Sequence, residues 1–116
     1  MMSQTDQFQM LRATHLTGTE VVNLEGESLG KLEEIMIDVP SGRVGYAVLS
    51  FGGFLGMGDR HYPLPWSQLT YDERLGGYRV DITERDLERA PSHRAGSSPA
   101  YDGGYGRDIW SYYGSF

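Results

Sequence analysis

The segment Leu29–Val39 constrains this chain more than any other. Ile35, Ile37 and Val39 alternate at the two-residue period of a β-strand, but Leu32 stands three residues before Ile35. One face can hold all four only if an extra residue is inserted near Glu33 and Glu34, which is a β-bulge. A bulge bends its strand, and strong bends let a short sheet curl into a small barrel. Pro40-Ser41-Gly42 closes the strand with a tight turn, since proline presets φ and glycine accepts φ > 0.

Other short runs follow the same texture. Glu20–Leu24 reads as a first strand and Arg43–Phe51 as a third. Arg60–Trp66 reads as a fourth, with Tyr62, Leu64 and Trp66 pointing inward. Pro63 and Pro65 share the opposite phase, so that side must face an edge or a gap in pairing, because proline donates no ladder hydrogen bond. Ser67–Leu69 makes a single turn. Thr70–Glu73 and Tyr78–Ile82 then pair as a hairpin across Arg74-Leu75-Gly76-Gly77. Thr83 can cap the amide of Asp86 and open a short helix, with Leu87 and Ala90 toward the barrel and Pro91 as its end.

The third strand is apolar in both phases: Val44, Tyr46 and Val48 on one face, Ala47, Leu49 and Phe51 on the other. A barrel strand with one wet face would not read so. Either a tail or a second subunit must cover the outer face, and the expectation taken from it is a homodimer. The segment Ser92–Ala100 reads as a flexible linker. The end of the chain does not. Tyr101, Tyr105, Trp110, Tyr112, Tyr113 and Phe116 are too aromatic for a solvated tail, so this tail docks on its own barrel, a mate or another protein. The organisation expected is a flexible N-terminus at 1–13, a barrel domain at 14–91, and a linker with an aromatic tail at 92–116.

Several function classes are disfavoured. The formal net charge of −6 argues against direct nucleic-acid binding, which rests on neutralising phosphates. No cysteine is present, which removes disulfides and thiol chemistry. The N-terminal sequence carries no basic, then apolar, export signal, and no apolar run is long enough to span a membrane, so the expected location is cytoplasmic. Four glycines fall between Gly52 and Gly58, but Asp59 follows where a phosphate loop needs lysine, and two prolines follow where it needs a helix. The loop is read as a glycine-permitted connection with Phe54, Leu55 and Met57 at its tip. His15, His61 and His93 lack the short ligand spacing of a metal site. Glu25, Glu27, Glu33, Glu34 and Asp38 read as a solvated acidic face. No catalytic residue, metal ligand or cofactor is expected.

The run from Leu16 to Ala90 resembles the PRC-barrel family. The resemblance rests on Leu16-Thr17-Gly18-Thr19-Glu20-Val21, Gly26-Glu27-Ser28-Leu29-Gly30-Lys31-Leu32, and Ile37-Asp38 with Pro40-Ser41-Gly42-Arg43. It continues through Tyr46–Asp59 and Pro63-Leu64-Pro65-Trp66, and Trp110-Ser111-Tyr112-Tyr113-Gly114 is similar to the close of stand-alone members. It implies a mainly β fold: a small, strongly bent PRC-type β-barrel with one short C-terminal helix and an aromatic-rich tail. It further implies a non-enzymatic protein-binding or assembly module, a homodimer with an unidentified protein partner. Two alternatives come with it. One is a photosynthesis-linked accessory similar to the reaction-centre H subunit, supporting electron or proton transfer at a membrane complex. The other is a ribosome maturation or RNA-processing factor acting through protein contacts. The interface residues expected are Tyr46, Val48, Phe51, Phe54, Leu55, Met57, Trp110, Tyr112 and Tyr113.

Overall fold

A computed structural model describes residues 10–51 and 60–114. The glycine loop tip with Phe54, Leu55 and Met57, and most of the N-terminal segment, lie outside the described residues. A helical turn α1 (Ala13–Leu16) precedes β1 (Glu20–Val22), β2 (Ser28–Asp38), β3 (Arg43–Ser50) and β4 (Arg60–Pro65). A 3₁₀ turn (Trp66–Gln68) leads to β5 (Leu69–Asp72) and β6 (Gly77–Val80). Then come α2 (Glu84–Glu88), β7 (His93–Arg94) and α3 (Gly103–Tyr113).

The strands form one seven-stranded sheet in the order β5-β6-β1-β2-β3-β4-β7, not closed into a full barrel. All neighbours are antiparallel except β1 and β6, where Val21 lies opposite Tyr78. The sheet curls until its distant parts meet. Trp66, just past β4, packs edge-on against Tyr78 of β6 with ring centroids 5.2 Å apart, although three strands separate β4 from β6 in the order.

The curl comes from bulges. Leu32 pairs with Leu49 but Glu34 pairs with Val48, so Glu33 is the extra residue expected from the broken alternation. A second slip follows at once: Met36 pairs with Tyr46 and Ile37 with Val44, which leaves Gly45 as the extra residue of β3. Gly30 allows the close strand approach below the first bulge. Its φ is +137°, and a Cβ there would stand 2.0 Å from the Ser50 carbonyl oxygen, so only glycine fits.

Val21, Leu29, Leu32, Leu49, Leu64 and Val80 fill the interior, and Leu87 and Ala90 of the α2 region close one end. The capping box at Thr83 is formed. Its hydroxyl accepts from the Asp86 amide at 3.0 Å, and the Asp86 carboxylate accepts from the Thr83 amide at 3.0 Å. β4 has β3 on one side, while on the other β7 reaches only Arg60 and His61. Pro63 and Pro65 therefore stand beside an edge without a strand partner, as their chemistry requires. At the β1–β2 turn the buried Asn23 satisfies itself locally: its Oδ1 accepts from the amides of Glu25 and Glu27 at 3.0 and 2.9 Å, and its Nδ2 donates to Glu27 at 2.8 Å.

Two sequence expectations need correction. Ile37 and Val39 do not join Leu32 in the interior; they are 54% and 87% exposed. β1 lies opposite only Ser28–Lys31, and the barrel interior ends near Ile35, so the β2–β3 hairpin projects past the core. Inside the segment read as a linker, His93–Arg94 pair with β4 and His93 is buried. Of the three placements expected for the aromatic tail, the described part takes the first: Gly103–Tyr113 form an α-helix that docks on the barrel of the same chain.

Asp102 caps that helix, its Oδ1 accepting from the amides of Gly104 and Tyr105, each at 3.0 Å. Gly103, Gly104 and Gly106 weaken it intrinsically, so packing must hold it. Gly106, Ile109 and Tyr113 recur at spacings of three and four, and all are buried.

Candidate protein-interaction surface

The outer phase of β3 and β4 shows where the C-terminal segment goes. Tyr46 packs edge-on against Tyr101 at 5.4 Å between centroids, and Gly106 lies so near Tyr46 that a Cβ would come within 2.9 Å of its hydroxyl. The segment from Tyr101 to Gly106 thus covers this phase, and Val48, two residues along β3, is fully buried. The doubly apolar strand is answered by the chain's own tail.

Below it lies a polar anchor. The His93 Nδ1 faces the Arg94 carbonyl at 3.0 Å, and a carbonyl can only accept, so Nδ1 carries a proton. In the neutral ring Nε2 then accepts from the Tyr101 hydroxyl at 2.9 Å. Tyr105 stacks edge-on against both His93 and Tyr101. Burial, then the neighbouring Tyr105, Glu34 and Tyr46, raises the Tyr101 phenol well above its ordinary value. Burial likewise raises Tyr105 and Tyr113. Tyr112 donates to the Asp86 carbonyl and so ties α3 to α2.

Beyond this cover the sheet is open. A cavity of about 320 Å³ lies at the projecting end of the hairpin, lined by Met36, Ile37, Asp38, Val39, Pro40, Gly45, Tyr46 and Tyr101. Ile37 and Val39 stand exposed at its rim. Glu33, Glu34 and Asp38 are exposed along β2. Arg43 is opposite Asp38 in register, yet the one ion pair among the described residues is Asp72–Arg79 at 2.6 Å, at the β5–β6 end. The Asp38 Oδ2 accepts from the Ser41 amide at 3.1 Å and shapes the turn.

The residues expected at an interface are thus dispersed. Tyr46 lines the cavity. Val48 and Tyr113 are buried within the monomer, and Tyr112 is half-buried at α2. Phe51 is half-buried against Tyr62, with centroids 5.7 Å apart. Trp110 is 48% exposed on the outer side of α3. Sequence reasoning missed Met36, Ile37 and Val39 as surface groups. The available signal was the length of β2, which outruns its neighbour β1.

Among the described residues no set of three His, Asp or Glu side chains could hold a metal ion. No helix among them is long and apolar enough to cross a membrane.

Comparison with known proteins agrees with this architecture. The profile of the PRC-barrel domain matches residues 8–87. The chain belongs to the PRC-barrel family. A solved structure described as a 16S ribosomal RNA processing protein, RimM, from Pseudomonas aeruginosa is 19% identical with a TM-score of 0.47. That alignment covers 69% of this chain and 48% of that chain, so the match spans about half of the other protein's length. No curated protein matches the sequence. The family match ends at Leu87, whereas the fold continues through β7 and α3.

Proposed function

We propose that this domain is a non-enzymatic protein-binding module of the cytoplasm, and that the projecting β2–β3 hairpin end is its contact surface. One observation carries the reading: Ile37 and Val39 are 54% and 87% exposed beside an apolar-lined cavity, whereas Val21, Leu29, Leu32, Val48, Leu49, Leu64 and Val80 of the same sheet are buried. Exposed apolar groups gathered at a concave feature mark contact sites more often than scattered ones do. Tyr46 and Tyr101 add aromatic walls, which suit protein recognition.

The test is differential capture from the native host. The unaltered chain and an Ile37→Asp, Val39→Asp double variant serve as baits, after circular dichroism shows that both fold alike. A partner retained by the first and lost by the second supports the surface. An unchanged partner set removes it. The partner's identity also separates a maturing ribosome from a photosynthetic membrane complex.

A second copy is the other reading of the partner, favoured by Trp110, which leaves α3 half exposed. Sedimentation equilibrium decides it. A dimer at micromolar concentration that dissociates in Trp110→Ser supports self-assembly, and a monomer rejects it.

A further inference from the structure

β2 is long and its partner on one side is short. β1 lies opposite only Ser28, Gly30 and Lys31. Leu32 is then tied off, its carbonyl accepting from Gly18 at 2.6 Å and its amide donating to Thr19 at 3.0 Å. From Glu33 to Asp38 β3 occupies one edge, and no described backbone group bonds to the other. That free edge is about 20 Å long and presents alternate N–H and C=O groups, the template on which an added strand pairs.

The side chains along it have an order. Glu34, Met36 and Asp38 share one phase, with Met36 at the cavity and a carboxylate on either side. Neither carboxylate has a cation partner among the described residues, and Arg43, the nearest in register, sits across the paired edge. A second copy fits poorly. Antiparallel self-pairing centred on Met36 sets Glu34 opposite Asp38 of the mate, and like charges directly opposite destabilise a pair. Each copy also carries a net charge of −6.

We infer that the free edge of β2 accepts an extended segment of another protein by strand addition, and that this segment alternates basic, apolar and basic side chains. Its main chain pairs with Glu33–Asp38, its cations meet Glu34 and Asp38, and its apolar side chain meets Met36. The inference rests on the protein-binding reading above and names how the partner is held. The bulge at Glu33 and the exposed carboxylates discourage pairing with neutral or acidic strands, so the same groups that protect the edge select its occupant.

The experiment titrates the full isotope-labelled chain with the capped peptide Thr-Lys-Thr-Val-Thr-Lys-Thr and follows backbone amides by NMR at low salt. Expected are shifts and slowed amide exchange confined to the Glu33–Asp38 stretch and the cavity rim. The peptide with both lysines replaced by glutamate should not bind. N-methylation of alternate peptide amides, which keeps charge and removes donors, should weaken binding at least tenfold. Glu34→Gln and Asp38→Asn should each weaken it about threefold, as exposed charge pairs do, and the asparagine keeps the Ser41 contact.

Absence of binding overturns the inference, with the carboxylates then acting only as protection against aggregation. Equal binding of the N-methylated peptide also overturns it, since the contact is then charge without strand pairing. Concentration-dependent protection of β2 without peptide assigns the edge to a second copy. Host capture that depends on Ile37 and Val39, combined with no peptide binding, leaves the contact surface standing and rejects only strand addition. Peptide binding with host capture unaffected does the reverse.

Discussion

Two parts of one sheet meet the same problem differently. At Val48 and Tyr46 the outer phase of β3 is apolar, and the chain's own segment from Tyr101 through α3 closes over it, leaving Val48 with no exposed surface. A few residues along the hairpin, Ile37 and Val39 are as apolar and nothing described covers them. The residue types alone do not distinguish the two places. What differs is reach: the cover follows β4, and the hairpin runs on beyond it. An apolar surplus in sequence therefore marks that a cover is needed, and the path of the chain decides whether the cover is internal.

Removing residues 101–116 breaks the comparison most directly. The cover then disappears and both regions become open. Ile109 and Tyr113 are fully or almost fully buried, and each side chain of this kind contributes about 2 kcal/mol on burial, before the newly bared Val48 is considered. Small domains have a margin of only about 5–15 kcal/mol. A loss of about 4 kcal/mol or more in urea unfolding is expected, with increased binding of a hydrophobic dye. Unaltered stability would show that α3 adds nothing to the barrel.

Single substitutions should separate the regions without dismantling either. Ile109→Ala removes a fully buried side chain and should cost about 2–4 kcal/mol. Val39→Ser removes an apolar group already in water and should change stability by no more than about 0.5 kcal/mol. Denaturation of the two variants side by side measures the contrast. Similar losses would mean that the hairpin end is held by contacts the monomer does not make.

How much of this was legible follows from the range of each signal. The bulge at Glu33 could be read because a broken two-residue alternation has one local remedy. The Thr83 cap and the edge beside Pro63 and Pro65 were likewise set by chemistry within a few residues. α3 was not legible as a helix, since Gly103, Gly104 and Gly106 oppose helix formation and only packing overcomes them. The cue was there in Asp102 followed by apolar groups at Gly106, Ile109 and Tyr113. The parallel pairing of β1 with β6 joins residues far apart in sequence and leaves no local trace. Alternation placed Ile37 and Val39 in phase with Ile35, but alternation says nothing about where a core ends. The outer phase of Tyr46 could be read from the alternation of β3, whereas the partial exposure of Met36 depends on how short β1 is.

The covered region should also be the alkali-sensitive one. Tyr101, Tyr105 and Tyr113 hold their protons above the ordinary phenol range, chiefly because burial disfavours the phenolate. In the unfolded chain these groups ionise near about pH 10. Above that pH the unfolded state has released protons that the native state retains, so stability falls as pH rises. Below pH 10 the contribution is fully present. Tyrosine absorbance and thermal unfolding followed together between pH 8 and 11 should show ionisation arriving with loss of α3. Deleting residues 101–116 should reduce this dependence to the part set by Tyr78, whose phenol is also raised by burial in the barrel. If these phenols ionise while the helix remains docked, the cover is wetter than its geometry indicates.

The smallest expected effect tests the boundary itself. Tyr46 touches the cover through Gly106 on one side and lines the cavity on the other. Gly106→Ala places a Cβ 2.9 Å from the Tyr46 hydroxyl, so one of them must move. The helix gains about 0.5–1 kcal/mol from exchanging glycine for alanine. The obstructing atom is the end of a side chain with open space beside it, so displacement costs a comparable amount, and net stability should change by less than about 0.5 kcal/mol. Tyr46→Phe removes the obstructing oxygen, and combining it with Gly106→Ala should recover the helix gain, a coupling that a double-mutant cycle reads directly. The informative result lies at the open region. If Tyr46 moves outward in Gly106→Ala, the cavity narrows and shifts appear at Met36 and Ile37 in amide spectra, far from the substituted helix in sequence. Spectral changes confined to α3 would mean that Tyr46 holds its place, the helix gives instead, and the covered and open regions are mechanically separate.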